Sequence, residues 1–340
     1  MAATTLPARD GSLLERSRAA RAPDSALKWG LTILSGLILL LILFFFISLY
    51  RQARPAFAQF GVFGFTFDNN WNVSHNEFGA LALLVGTLIT SGVALIIGVP
   101  IAVATAIYIT ELAPRSIRTP VTVLVELLAA VPSVVYGLWG IFVLAPHLQG
   151  IEQWFANTFS FIPFIGGGTV TIPNLFIAGL VLAIMILPIV SAISREVMST
   201  VPPDQKEAML GLGATRWEMI RTAVLPYCRS GITSGAMLGL GRAIGETIAV
   251  TILVGDSPLM PKHLFEQGYS LAAVIANEFG EAQGLHRSAL FAAGLVLFVL
   301  TLLVNGLARL IVMRSSRSSR IKRQSNAPAA GAAEIPVGAA

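Results

Sequence analysis

Six stretches of this chain are apolar for long enough to cross a lipid bilayer, and every other feature has to be fitted around them. They cover residues 29–50, 81–109, 121–144, 172–193, 231–254 and 288–313. About 20 apolar residues carry an α-helix across the hydrocarbon layer. Lipid offers no partner for unpaired backbone groups, so helices are the expected spanning form. Barrel strands would be shorter and would alternate in polarity; these runs do not alternate. Only 12% of the 340 residues are charged, about half the share of a soluble domain. The sequence therefore predicts an all-α, polytopic membrane protein with six transmembrane helices. The membrane domain spans 29–313, between an N-terminal tail (1–28) and a C-terminal tail (314–340). Composition predicts disorder over roughly 1–25 and 315–340, which are rich in Ala, Ser, Arg and Pro. Pro100, Pro132 and Pro188 fall within spans and are expected to kink them. The first apolar stretch is too long for a signal peptide and has no small-x-small cleavage site, so it reads as a retained anchor.

Basic residues set the orientation, since lysine and arginine concentrate on the cytoplasmic side. With both termini cytoplasmic, and Arg309 at the end of the sixth span counted with the cytoplasmic C-terminal group, Arg51, Arg54, Lys262 and Arg287 are the only ones of the 23 lysines and arginines left in outside loops, and Arg242 is the one that remains, within the fifth span. The basic residues flank apolar runs and are not interleaved with aromatics, which argues against nucleic acid as a partner. The single cysteine, Cys228, excludes an internal disulfide. None of the four lysines (Lys28, Lys206, Lys262, Lys322) is followed by Ser or Thr, so no P-loop can be completed. No His-Glu-x-x-His or Gly-x-Ser-x-Gly sequence marks a membrane-embedded enzyme, and no cofactor is implied. A passive channel or scaffold would fit the spans equally well.

Two segments carry chemistry. The loop at 201–227 is expected to fold as helix, glycine turn, helix. Its first helix would start at Asp204, capped reciprocally with Glu207. Gly211 and Gly213 would break it. Thr215 and Glu218 repeat the capping-box spacing, and Leu225-Pro226 would end the second helix. An amphipathic hairpin lying on the bilayer is the alternative. In the fifth span, Arg242 and Glu246 stand four residues apart, hence on one helical face. Gly241 and Gly245, also four apart, permit close helix approach. Glu126 is an isolated acid in the third span. Charges at this depth are costly and mark either a pathway or a buried ion pair, and the spacing fits both. A guanidinium suits an oxyanion because it offers two donors at once.

The loop resembles the coupling loop of ATP-driven import permeases: Glu-Ala-Ala, three residues, Gly, nine residues, Ile, one residue, Leu-Pro. Glu207, Ala208, Gly213, Leu225 and Pro226 match in register, while Met209 and Ala223 replace an Ala and the Ile. The run Gly241-Arg242-Ala243-Ile244-Gly245-Glu246-Thr247, with the run from Glu126 to Gly137, resembles the phosphate-specific import permeases of the PstC type over about 29–313. The sister PstA type shares the Gly-Arg and Gly-Glu-Thr elements, but the acid at Glu126 and the long loop after the first span favour PstC. The resemblance implies a type I ABC importer permease fold in the bacterial cell (inner) membrane. It further implies a PstA-like permease partner, two PstB-like ATPase subunits, and an extracytoplasmic phosphate-binding protein. In that family the arginine and glutamate matching Arg242 and Glu246 are implicated in transport, and Glu126 is grouped with them on the substrate pathway. Sulfate or molybdate is the nearest rival substrate, because the coupling loop is common to such importers.

Overall fold

The computed structural model describes residues 18–325. The tail expectations for 1–17 and 326–340 lie outside the described residues. The chain forms two compact units, one ending at Gln52 and one beginning at Ala53. In the first, helix α1 (Arg18–Phe60) begins, and every described side chain from Leu27 to Phe45 is exposed. An apolar helix with no polar face suits lipid on all sides.

The second unit continues through α2 (Val62–Phe67) and a hairpin of β1 (Trp71–Asn72) and β2 (Glu77–Phe78), antiparallel with Trp71 opposite Phe78. Helix α3 (Leu81–Ile107) ends in a π-helical turn, Tyr108–Leu112. Then come α4 (Arg115–Ala130) and α5 (Ser133–Trp139), which passes through a second π-turn, Gly140–Leu144, into α6 (Ala145–Thr158). After α7 (Leu175–Ser199) and the short α8 (Pro203–Gly211), α9 (Arg216–Met219) runs through the π-turn Ile220–Val224 into α10 (Leu225–Gly245). The chain closes with α11 (Ile248–Val254), α12 (Leu271–Glu278) and α13 (Gly284–Ser325).

Among the described residues, five helices are long and apolar enough to cross a membrane. The bent pair Arg216–Gly245 and Ile248–Val254, angled at 64°, makes a sixth if it is one span. Two expectations need correction. The third span is not 121–144: the chain breaks at Val131, which is extended, and the qualifying helix is Ser133–Thr158. Pro132 causes this, because its ring disfavours helical backbone in the residue before it and it has no N–H to donate. Pro100 and Pro188, by contrast, sit inside α3 and α7. The second correction concerns the tails: over 18–25 and 315–325 the backbone is helical; Ala and Arg in the first, Arg and Lys in the second, are good helix formers.

The core is the approach of α3 to α7, made close by small residues. A Cβ on Gly179 would lie 2.6 Å from Val93 Cβ and 3.0 Å from Thr90 O. Small residues let helix backbones meet in a membrane, where apolar burial gives no drive. The buried hydroxyls on α3 return to their own helix: Thr87 to Leu83 O at 2.8 Å, Ser91 to Thr87 O at 2.7 Å. The Thr87 hydroxyl also accepts the Leu271 N–H at 3.0 Å, tying α12 to α3. Beyond this core the hairpin is pinned by one carboxylate. Glu278 Oε2 accepts from Trp71 Nε1 at 3.1 Å and meets His286 Nε2 at 2.8 Å, and the Phe78 ring stacks on His286. Nearby Asp256 has φ +53°. Burial pushes its carboxyl pKa up, with the Asn277 hydrogen bond opposing and the Glu278 charge adding to the rise.

Two outcomes follow. A Cβ on Gly86 would fall 2.1 Å from the Tyr269 carbonyl oxygen. Gly86→Ala therefore forces backbone to move and should cost about 1–3 kcal/mol, read as a lower thermal midpoint of the detergent-solubilised protein. Asp256 has a folded pKa above its unfolded value, so its stabilising share is present below the unfolded pKa and is lost as pH rises through the folded one. Asp256→Asn, which tolerates the same positive φ, should melt higher than the parent at neutral pH. The gap should close as pH falls toward about 4.

Candidate functional site

The loop between α7 and α10 folds as helix, turn, helix. Gly213 makes the turn with φ +87°, a value that needs glycine. The Thr215–Glu218 capping box is present in both directions: the Glu218 N–H donates to Thr215 Oγ1, and Glu218 Oε2 accepts the Thr215 N–H at 2.7 Å. Three details differ from expectation. Asp204 caps nothing: the N-cap of α8 is Pro202, which places Asp204 in the first turn. Gly211 remains helical at the end of α8. Leu225-Pro226 does not stop a helix but starts α10. The wide π-turn before it hands the chain on, and a proline in a first turn loses no hydrogen bond.

The two faces of this loop differ. Glu207, Ala208, Gly213 and Pro226 are exposed, as are Leu212 (84%) and Trp217 (59%). The opposite face is a small core of its own. Met219, Ile220, Val224 and the Cys228 thiol are buried with Ala106 and Ile107 of α3 and with Met198 and Val201, while Met209 and Leu225 pack on its edge. Lys206 closes the joint with an ion pair to Glu111 at 2.6 Å, where Glu111 is 8% exposed. The loop is thus rigidly mounted on the ends of α3 and α7, with an apolar face left free.

Glu126 is not isolated. Its carboxylate pairs with Arg195 Nη2 at 2.9 Å, in a cavity of about 560 Å³ that also holds Glu111, Arg118, Glu196 and Lys206. The pair joins α4 to α7. Arg242 lines a different cavity, of about 920 Å³.

Arg242 and Glu246 do not share a helical face. Helix α10 ends at Gly245, and Glu246 is extended (φ −70°, ψ 126°) before the chain bends into α11. Among the described residues the two form no ion pair. Arg242 is exposed and Glu246 half-buried. Of the two glycines expected at a helix contact, only Gly241 faces another helix, against Asn305 of α13; Gly245 has open space around it. The pieces beyond the two breaks pack on each other: a Cβ on Gly137 of α5 would lie 2.8 Å from Ile252 Cδ1 and 3.3 Å from Ala249 Cα of α11. Tyr136 spans the first break by donating to Leu128 O at 2.8 Å, within electrostatic reach of Arg242. The pieces beyond the two breaks thus meet near Arg242, which stands in the last turn of α10.

Residues 98–317 match the family described as the binding-protein-dependent transport system inner membrane component. The chain belongs to this family. It is 47% identical over 272 residues to the phosphate transport system permease protein PstC of Pasteurella multocida, covering 78% of this chain and 84% of that protein. It is 41% identical over 310 residues to the protein of the same name from Haemophilus influenzae, covering 87% and 95%. Among solved structures, it is similar to a bacterial ABC transporter involved in the import of the acidic polysaccharide alginate, with 21% identity, a TM-score of 0.54, and coverage of 86% of this chain and 98% of that one. That likeness shows the fold: an ABC importer permease. A member of this family is a membrane component of the transport system, with no ATPase site of its own.

The sequence missed Lys206, Glu111 and Arg195, whose partners are 95 and 69 positions away. Their signal was charge close to a span end, which alone names no partner. Gly213→Val would force a β-branched residue to φ +87°, a strain of about 1–3 kcal/mol. The loop should deform while the spans stay packed. Unchanged membrane level with at least a fivefold loss of ATPase-subunit co-purification is the expected result, checked by pull-down.

Proposed function

We propose that this protein is a permease subunit of an ATP-driven phosphate importer in the bacterial cell (inner) membrane, with both termini cytoplasmic. It pairs with a PstA-like permease, two PstB-like ATPase subunits engage it from the cytoplasm, and an extracytoplasmic phosphate-binding protein delivers the anion. The observation that carries this reading is the break of α10 directly after Arg242. Interrupted backbone at membrane depth is tolerated where it lines a cavity, and transporters place their substrate sites at such interruptions. An exposed arginine in a span must meet water or a second subunit. An anion path shared with a partner permease supplies both. The 47% identity to a protein named as a phosphate permease favours phosphate over sulfate or molybdate. The exposed Leu212–Trp217 face, with Glu207 and Ala208 on α8, Gly213 at its turn and Leu225-Pro226 at its root, is the surface offered to the ATPase. Glu126, paired with Arg195, joins α4 to α7.

The test is ATP-dependent uptake of labelled phosphate by vesicles carrying the assembled complex, with sulfate and molybdate as competitors. Phosphate uptake that neither competitor reduces is expected; uptake abolished by sulfate would transfer the assignment to the rival anion. Because Arg242 and Glu246 are unpaired, neutralising both should not restore what neutralising one removes. Arg242→Gln should lower uptake at least tenfold, and Arg242→Gln with Glu246→Gln should stay as low at normal membrane level. Recovery in the double variant would mean that the two charges only balance each other.

A further inference from the structure

The cavity containing Arg242 lies between α7, α10 and α13. Four polar side chains line it: Ser234 and Arg242 from α10, Asn305 and Arg309 from α13. Among the described residues none of the four side chains has a hydrogen-bond or ion-pair partner, and no aspartate or glutamate lines the cavity. The 560 Å³ cavity makes the contrast plain, since its Arg118, Arg195 and Lys206 share the space with Glu111, Glu126 and Glu196. That space is neutral and internally bonded. This one carries two guanidinium groups and two neutral donors with no acid among its lining residues.

Its position is equally specific. Helices α10 and α13 run antiparallel, and Gly241 lies against Asn305: a Cβ there would be 3.7 Å from Asn305 Nδ2. Arg309 is one turn beyond Asn305 along α13, and Ser234 two turns before Arg242 along α10. The cavity therefore runs from the break at Glu246 toward the end of α10 that carries the coupling loop. Two exposed arginines in one cavity, with no aspartate or glutamate in its lining, attract an anion. Guanidinium, amide and hydroxyl donors together match the several acceptor oxygens of a tetrahedral oxyanion.

We propose that this cavity is a second oxyanion site, a holding point on the cytoplasmic side of the bend, where Asn305 and Arg309 receive the anion from Arg242. It rests on the reading of the chain as an oxyanion permease. A lipid headgroup phosphate has the same chemistry, and the exposed Leu238 and Leu302 at the rim would accommodate its chains, so the experiment separates the two sources.

The complete transporter, with partner permease, ATPase subunits and binding protein, is reconstituted in vesicles of phosphatidylcholine alone and in vesicles with added phosphatidylglycerol. The probe is inorganic phosphate, with sulfate in parallel. Arg309→Gln and Asn305→Leu should each lower maximal uptake about tenfold in both lipids. The concentration of loaded binding protein giving half-maximal uptake should not change, and Arg309→Lys should keep most of the rate. Normal maximal uptake in Arg309→Gln and Asn305→Leu overturns the site. So does a loss confined to phosphatidylglycerol vesicles, which assigns the cavity to lipid. If Arg309→Gln does not assemble, Asn305→Leu, which removes no charge, decides by the same measurement. A parent complex that moves sulfate and not phosphate overturns the phosphate reading alone, and the same variants read with sulfate then decide the site.

Discussion

The close approach of α3 to α7 is what the rest of the membrane unit hangs on. Gly179 and its neighbours bring the two backbones together, and each end of the pair then carries a separate structure. At one end the Thr87 hydroxyl accepts the first N–H of α12, and the hairpin is fastened beyond it through Glu278. At the other end Ala106, Ile107, Met198 and Val201 form the floor of a second small core, into which the loop presses Met219, Ile220 and Val224. The loop that exposes Leu212 and Trp217 is thereby joined to the central helix pair through packed side chains. The Lys206–Glu111 ion pair, with its acid nearly buried, adds a cross-link that is costly to break from one side only.

Much of this was legible in the sequence. Apolar length alone marks the spans, because the bilayer fixes how long a helix must be. The turn at Gly213 and the Thr215–Glu218 box depend on neighbours within three residues, and both stand where local chemistry puts them. The readings that failed depend on what lies far off in sequence or on a choice between two local outcomes. Pro132 could have bent one helix, yet it separates two, and the qualifying span begins after it. Pro226 reads equally well as a stop or as a first-turn residue, and the π-turn before it selects the second. Arg195 and Lys206 find their acids across 69 and 95 positions, a pairing no local pattern encodes.

The breaks in the helices explain one another. Helix α5 follows one break and α11 the other, and these two pieces pack together at Gly137. A backbone interruption leaves carbonyls and N–H groups without helical partners, and hydrocarbon would penalise each of them. The first interruption is partly served from within, since the Tyr136 hydroxyl donates to Leu128 O. Arg242 lies on the last turn of the helix that ends at the second interruption.

The conformation at Glu246 has a chemical consequence for Arg242. Had α10 run on for one more turn, Glu246 would stand at the i+4 position over Arg242, where opposite charges attract. In a low-dielectric span that pair would close firmly and occupy the donors of the guanidinium. The extended backbone at Glu246 turns the acid off the helical face and leaves the donors open. An exposed guanidinium with its donors open is what the anion path we propose asks of Arg242. The helix break therefore does two things at once: it bends the span, and it keeps the arginine available.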